Sequence, residues 1–417
     1  MKVLVVGGGG REHAICWSLA KSERVCELYC APGNAGIGEL ATCVQIKATD
    51  IDGLTEYAVD GDFDLVFVAP DDPLALGLVD RLQDQGIRAF GPRANAAIVE
   101  ASKAFSKDLM KRYKIPTAAY EIFTDAASAL KYVDSQPVPI VVKADGLALG
   151  KGVVIAKTHE EARAAVRAMM EDGAFGASGS TVVIEECMAG PELTVLAFSD
   201  GKTVVPMISS RDHKRALDGD EGLNTGGMGA VTPGADLSDS DWEQMRREIF
   251  DPTIRALAAD GRPFVGVIYF GLMLTADGPK VIEYNARFGD PETQAILPRL
   301  ETDLMDIIDA CIDGTLADLE IHWRDVKSCC VVMASGGYPG KIETGYPITG
   351  LKETSHLVFH AGTKLGENGQ VLTAGGRVLA VYGEGDSLDA AIDNAYEGVA
   401  DISFTNMHYR RDIGRTI

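Results

Sequence analysis

From residue 1 to about 102 the chain alternates short apolar runs (Lys2 to Val6, Val25 to Cys30, Leu65 to Ala69, Arg88 to Phe90) with helical stretches. Strands joined by helix-length connections pair in parallel, and the helices cover the faces of the sheet they build. The rhythm breaks after SKAFSKDLMKRYKIPTAAY, so a second unit is expected to begin near Ser102. With 417 residues the chain exceeds what one hydrophobic core serves, and roughly two to four domains are expected.

Beyond Ser102, Ile140 to Lys143, Val153 to Ala156 and Thr181 to Glu186 read as strands with glycine-rich or helical connections. A helical pattern from Ser240 to about Asp260, opened by a Ser or Asp cap, leads into the apolar run FVGVIYFGLML and then into VIEYNARFGDPET. These are expected to form one antiparallel core. From about Lys327 the composition shifts to strands broken by glycine turns, followed by a helix from Leu388 to about Ala400, which reads as a small α+β domain.

Charge narrows the function. Thirty-nine basic against 61 acidic side chains give a formal charge of -22, which repels nucleic-acid backbones and anionic membranes, and no basic run offsets it. Any anionic ligand is expected to be small and held by a few local cations or by metal ions. The eight cysteines include no C-x-x-C pair, which argues against zinc or a disulfide framework. MKVLVVGGGGREH has too short an apolar run for a signal peptide, and no stretch reaches the length of a membrane span. A soluble, cytoplasmic protein is expected.

Five segments carry candidate chemistry. In VVGGGGREH a strand runs into four glycines and a helix, a turn whose N–H groups can approach a phosphate. The dinucleotide fingerprint fails, because Glu12 or His13 stands where its third glycine belongs, so a dehydrogenase is disfavoured. VVKADGLALGKG, 141 to 152, is not a P-loop, since Gly152 replaces the magnesium-binding hydroxyl. It reads either as a solvated hairpin or as a glycine loop, with a lysine at each end, closing over a polyphosphate.

VVIEECMAGPELTV reads as an ordinary strand-turn-strand, or as an adenine slot with the backbone of Glu186 to Met188 on the base edge and Glu192 on the ribose. In SSRDHKRALDGDEGLNTGGMGAVTP, charged residues from Arg211 to Arg215 precede four glycines between 222 and 229, an arrangement costly to order without a ligand. Finally, a period of two in VIEYNARFGDPET puts Glu283, Asn285 and Arg287 on one strand face and Ile282, Tyr284 and Ala286 on the other. That polar face either meets water at a sheet edge or gathers a site.

In this order GGREHA, APGNAG, FGP, SKAF, KADGLA, GKGV, IEE, DHKR, NTGGMGA, RFGDPET, GGYPG, HAGTK, GGRVL and RDIG resemble the phosphoribosylamine-glycine ligase family of the ATP-grasp superfamily over nearly the whole chain. The resemblance implies a multidomain α/β and α+β fold: an N-terminal Rossmann-like parallel sheet (1–102), a central ATP-grasp domain (103–326) with a lid near 120–190, and a small C-terminal α+β domain (327–417). It implies ligation of glycine to 5-phosphoribosylamine with ATP cleaved to ADP and phosphate, through glycyl phosphate, in purine synthesis. The implied partners are these small molecules and Mg²⁺ or Mn²⁺, on a monomer or weak dimer.

By the same resemblance Glu283 and Asn285 are metal ligands, hard oxygen donors suited to Mg²⁺. Lys103, Lys143, Gly146, Gly150, Lys151, Gly152, Glu185, Glu186, Cys187, Met188 and Glu192 are expected around ATP. Arg287, Asp290, Asp212 and Lys214 are expected at the reacting groups. Gly8, Gly9, Asn34, Asp71, and Asn224, Thr225, Gly226, Gly227, Met228 and Gly229 are expected at the other substrates.

Two departures stand out. APDDPL carries Asp71 where many relatives have a glutamate, which puts affinity for phosphoribosylamine in question. Val265 to Leu274 holds no carboxylate, although several ATP-grasp enzymes draw a metal ligand from this strand. The competing readings are an ATP-grasp enzyme with another acceptor and a nucleotide-binding protein without catalysis. NTGGMGA and RFGDPET argue against the first, and glycine-dependent ADP release separates the second.

Overall fold

The structure is a computed structural model that describes residues 1–147, 152–172 and 176–415. The first hundred residues build a five-stranded, wholly parallel sheet from β1 (Lys2–Gly7), β2 (Glu27–Pro32), β3 (Thr42–Cys43), β4 (Leu65–Val68) and β5 (Arg88–Phe90), in the order β3-β2-β1-β4-β5. Helices cover both faces, so Val3, Leu4, Val5 and Val6 are all inaccessible to solvent. This is why the run is apolar throughout and does not alternate. Strand order reverses between β1 and β4, and ligands in such sheets bind beyond the strand ends at that reversal. Gly7 ends β1 with φ +123°, and a Cβ on Gly8 would lie 2.6 Å from the Gly33 carbonyl oxygen.

Residues 120–186 contain a four-stranded antiparallel sheet of Tyr120–Phe123, Val182–Glu186, Ile140–Ala144 and Val153–Ala156, in that spatial order. The helices Ala126–Ser135 and His159–Met170 back it, each capped by a side chain, Asp125 and Thr158, that accepts a backbone N–H. A second antiparallel sheet joins Val204–Pro206, Glu192–Asp200, Val265–Thr275 and Gly278–Asn285. The helix expected from Ser240 to about Asp260 runs as Asp239–Met245 and Asp251–Ala259 with a π-helical turn, Arg246–Phe250, between them. Ser238 caps it in a capping box with Asp241.

The last sheet crosses the boundary expected at 327. Lys327–Ser335, Arg377–Gly385 and Val358–His360 pair with one another, but Arg211–Asp212 and Gly229–Thr232 continue the same sheet, and the helix Leu388–Asp401 packs against it. The cores are shared too. One cluster joins Leu4 and Val66 of the first sheet to Ile254, Phe270 and Tyr284, and another joins Val3 and Phe67 to Phe198, Phe288, Cys330 and Phe359. All eight cysteines are free thiols. Among the described residues no helix is long and apolar enough to cross a membrane.

Candidate active site

A cavity of about 890 Å³ opens where the three later sheets meet the reversal point of the first. Its wall is built around the end of the strand Gly278–Asn285. Gly271 pairs with Glu283 but Leu272 pairs with Val281, so Ile282 is an extra residue, a β-bulge. Glu283, Asn285 and Arg287 line the cavity; Ala286 lies buried behind them, whereas Tyr284, expected on that same hidden face, is buried but still reaches the lining. Ile282 was expected to share that hidden face; the bulge turns it into the cavity wall instead, where its carbonyl accepts from Lys143 Nζ at 3.3 Å.

Cations converge on this strand. Lys214 Nζ lies 3.3 Å from Glu192 Oε2 and 4.0 Å from Glu283 Oε1. Burial alone would neutralise Glu283, but Lys214, Lys143, Lys103 and Arg287 outweigh it and hold the carboxyl below its ordinary range. Burial likewise opposes the charge on Lys214, and Asp212, Glu192 and Glu283 more than compensate, keeping it protonated. Asp212, on the two-residue strand Arg211–Asp212, is pushed up to about 7 by burial despite Lys214 beside it. Arg287 pairs with Glu100 at 2.7 Å, and the other Glu100 oxygen accepts the Ala286 N–H at 2.7 Å.

Farther along, Lys103 opens the helix Lys103–Tyr113 and donates to the Gly146 carbonyl at 2.8 Å. Asp145 accepts from Ser102 Oγ and the Ala104 N–H, tying the start of the glycine loop to that helix N-terminus. Lys143 and Lys107 both reach Glu185 Oε2, at 3.0 and 3.1 Å, with all three side chains buried. Glu185 Oε1 has no hydrogen-bond partner among the described residues. Gly146, Gly152, Glu186, Cys187, Met188 and Glu192 line the same end. Gly150 and Lys151 lie outside the described residues.

At the opposite end Asp71, Asn224, Thr225, Gly226 and Asp290 line the wall. Asp290 is a junction: its carboxylate accepts from Gln294 Nε2 at 2.7 Å and from the Arg11 N–H at 3.4 Å, and Arg377 lies 3.4 Å away. Gly227, Met228 and Gly229 sit behind the wall, Met228 fully buried. Gly8, Gly9 and Asn34 are also outside it. The Asn34 amide donates to the carbonyls of Gly8 and His360 and accepts from the N–H groups of Gly36 and Ile37, so its hydrogen-bonding capacity is used within the protein.

Sequence reasoning missed Glu100, Lys107, Tyr269 and Arg377, all in the wall, and gave Arg211 and Glu292 no role beyond membership of their polar segments. Lys107 had a signal, since it stands four residues after Lys103 on one helix face. Glu100, Tyr269 and Arg377 carry no local signature.

Two antiparallel sheets meeting at one cavity, with Lys103, Lys107 and Lys143 and the carboxylate-amide pair Glu283 and Asn285 in its wall, define an ATP-grasp ligase, an enzyme that uses ATP and divalent metal ions. Residues 1–100, 101–293 and 328–416 match the phosphoribosylglycinamide synthetase N domain, ATP-grasp (A) domain and C domain, and the chain belongs to that family. It is 51% identical over 416 residues to phosphoribosylamine--glycine ligase from Halalkalibacterium halodurans, covering 99% of this chain and 96% of that one. A ligase of the same name from Caldanaerobacter subterraneus is 46% identical, with 99% of each covered. The crystal structure of the Thermotoga maritima phosphoribosylamine--glycine ligase superposes with a TM-score of 0.88 at 33% identity, covering 99% of this chain and all of that one. The biotin carboxylase domain of a Hydrogenobacter thermophilus 2-oxoglutarate carboxylase, at 14% identity and a TM-score of 0.73 over 97% of this chain and 91% of that one, shares the fold.

Proposed function

We propose that this enzyme joins glycine to 5-phospho-D-ribosylamine, cleaving ATP to ADP and phosphate through glycyl phosphate, as an early step of purine synthesis. A carboxylate oxygen of glycine attacks the γ-phosphorus, and the bond to the β,γ-bridging oxygen breaks. The amine lone pair of phosphoribosylamine then adds to the carbonyl carbon, phosphate departs with that oxygen, and the amine gives up a proton. Both steps concentrate negative charge, so positioning and cations do most of the work.

The observation that carries the reading is the placement of Lys103, Lys107 and Lys143 at one end of the cavity, with Lys214 and Arg287 over Glu283 and Asn285 at its centre. In this reading Lys103 and Lys143 neutralise the triphosphate, the backbone of Glu186 to Met188 meets the adenine edge, Glu192 meets the ribose, and Lys214 and Arg287 steady the migrating phosphoryl group. Asp212 and Asp71 face glycine and the acceptor ribose. Among the described residues no three His, Cys, Asp or Glu side chains converge as a metal cage. Glu283 and Asn285, with phosphate oxygens and water, suit Mg²⁺ or Mn²⁺, which would neutralise the β and γ phosphates when bound. A cytoplasmic location, a monomer or weak dimer, and a lid near 120–190 belong to the same reading.

The test is ADP formation from ATP, Mg²⁺ and freshly made phosphoribosylamine, with labelled glycine present or omitted. Glycine-dependent ADP release with the label incorporated into a ribonucleotide is expected. ADP release indifferent to glycine refutes the reading.

A further inference from the structure

Arg377 comes from the far end of the chain yet stands in the cavity wall. It opens the strand Arg377–Gly385, whose pairing with Lys327–Ser335 runs Met333 to Leu379 and then Ala334 to Arg377, leaving Val378 as a bulged residue. A bulge bends the strand and re-aims the neighbouring side chain. The guanidinium is thereby brought onto two segments remote in sequence: Nη1 donates to the carbonyls of Gly226 and Asp290, each at 2.8 Å, with Asp290 Oδ1 at 3.4 Å and the Gly227 carbonyl at 3.5 Å. Gly226 in turn donates its N–H to Tyr338 Oη at 3.1 Å. Asp290 carries the contact on to Arg11 and Gln294. The Gly226–Gly227 turn and Asp290 thus meet on one planar cation, with Arg11 joined through Asp290, and the cation lies mostly out of solvent at 22% side-chain exposure.

We propose that Arg377 is a positioning residue that holds Asp290 and the Gly226–Gly227 turn at the acceptor end of the cavity, so that the amine, and not water, captures the activated glycine. The proposal rests on the reading that glycine is activated as glycyl phosphate. The competing step balances as simple hydrolysis: water adds to the carbonyl carbon, the bond to the phosphate oxygen breaks, and glycine and phosphate leave without product. ATP is then consumed with no ligation. The contacts of Arg377 lie away from Lys103, Lys143 and Glu185, so ATP binding is not expected to depend on it.

The experiment measures ADP and ribonucleotide product together for the unsubstituted enzyme, Arg377→Gln and Arg377→Lys, with circular dichroism to verify folding. The unsubstituted enzyme is expected to make one ADP per product. In Arg377→Gln, kcat for product is expected to fall about tenfold or more, with the ADP-to-product ratio clearly above one and the KM for ATP within about twofold. Arg377→Lys keeps the charge without the planar fork and is expected to uncouple as well, so it carries the test if the glutamine variant does not fold. A ratio of one in either folded variant overturns the proposal. Glycine labelled with ¹⁸O in its carboxylate separates the two levels. Absence of label in the phosphate made by the unsubstituted enzyme sinks glycyl phosphate and this proposal together, whereas label transfer with fully coupled variants sinks only the role of Arg377.

Discussion

The Lys214 ammonium lies 4.0 Å from the Glu283 carboxylate, in a wall where Lys143, Lys103 and Arg287 also bear on that carboxylate. Glu283 is therefore kept ionised, the state a hard cation needs. Glu283→Gln is expected to leave the thermal midpoint unchanged and to cut turnover by ~10² or more, as loss of a metal-orienting ligand does. Near-normal turnover at saturating magnesium contradicts the assignment.

Glu100 holds both the Arg287 guanidinium and the Ala286 N–H from beneath the cavity wall, and it is buried. Removing one member of a buried pair strands the other and typically destabilises by about 3–5 kcal/mol. Glu100→Ala is expected to show that loss in urea unfolding, together with a lower kcat because Arg287 loses its orientation. An unfolding midpoint equal to that of the unsubstituted enzyme speaks against the clamp.

Asp71 sits in the first turn of the helix Asp71–Ala75, in the wall and within the field of Arg287. If it meets the acceptor ribose, Asp71→Glu restores the longer reach and lowers the KM for phosphoribosylamine without changing that for ATP. Steady-state kinetics with each substrate varied decides it, and parallel changes in both KM values rule out the ribose role.

Three buried imidazoles set a pH dependence of stability. Burial lowers His13 from its ordinary 6.5 to about 3, with His360 adding to the effect, and lowers His360 and His213 to about 4. His13 Nδ1 accepts the His360 N–H and His213 Nε2 accepts the Gly414 N–H, so both rings are needed neutral. Below pH 6.5 the unfolded chain takes up protons that the folded one refuses, so stability is full above that pH and declines toward pH 4. Each imidazole contributes up to about 1.4 kcal/mol per pH unit. Urea midpoints between pH 7.5 and 5 should fall, and less steeply in His13→Asn; a flat profile contradicts this.

The parallel sheet was legible because strands buried on both faces are unbroken apolar runs, and Lys2–Gly7, Leu65–Val68 and Arg88–Phe90 appear where the runs do. Thr42–Cys43 was not, being two residues long at the sheet edge. That the last sheet takes in Gly229–Thr232 as well could not be read, because this strand pairs with Lys327–Ser335 about a hundred residues later, a partnership that no local pattern encodes. The strand face bearing Glu283, Asn285 and Arg287 could be read from alternation, but the bulge at Ile282 could not, since one extra residue leaves no mark on composition. Glu100 and Arg377 escaped for the same reason as the sheet: their partners are Arg287 and Asp290, brought to them only by tertiary folding.

The most direct test of the account is the anomalous signal of Mn²⁺ in crystals grown with a non-hydrolysable ATP analogue. The account predicts a peak bonded to a Glu283 carboxylate oxygen and to Asn285 Oδ1, with phosphate oxygens completing the shell and Lys214 drawn off Glu283. A peak held elsewhere, with Glu283 still facing Lys214 and touching neither metal nor phosphate, contradicts it.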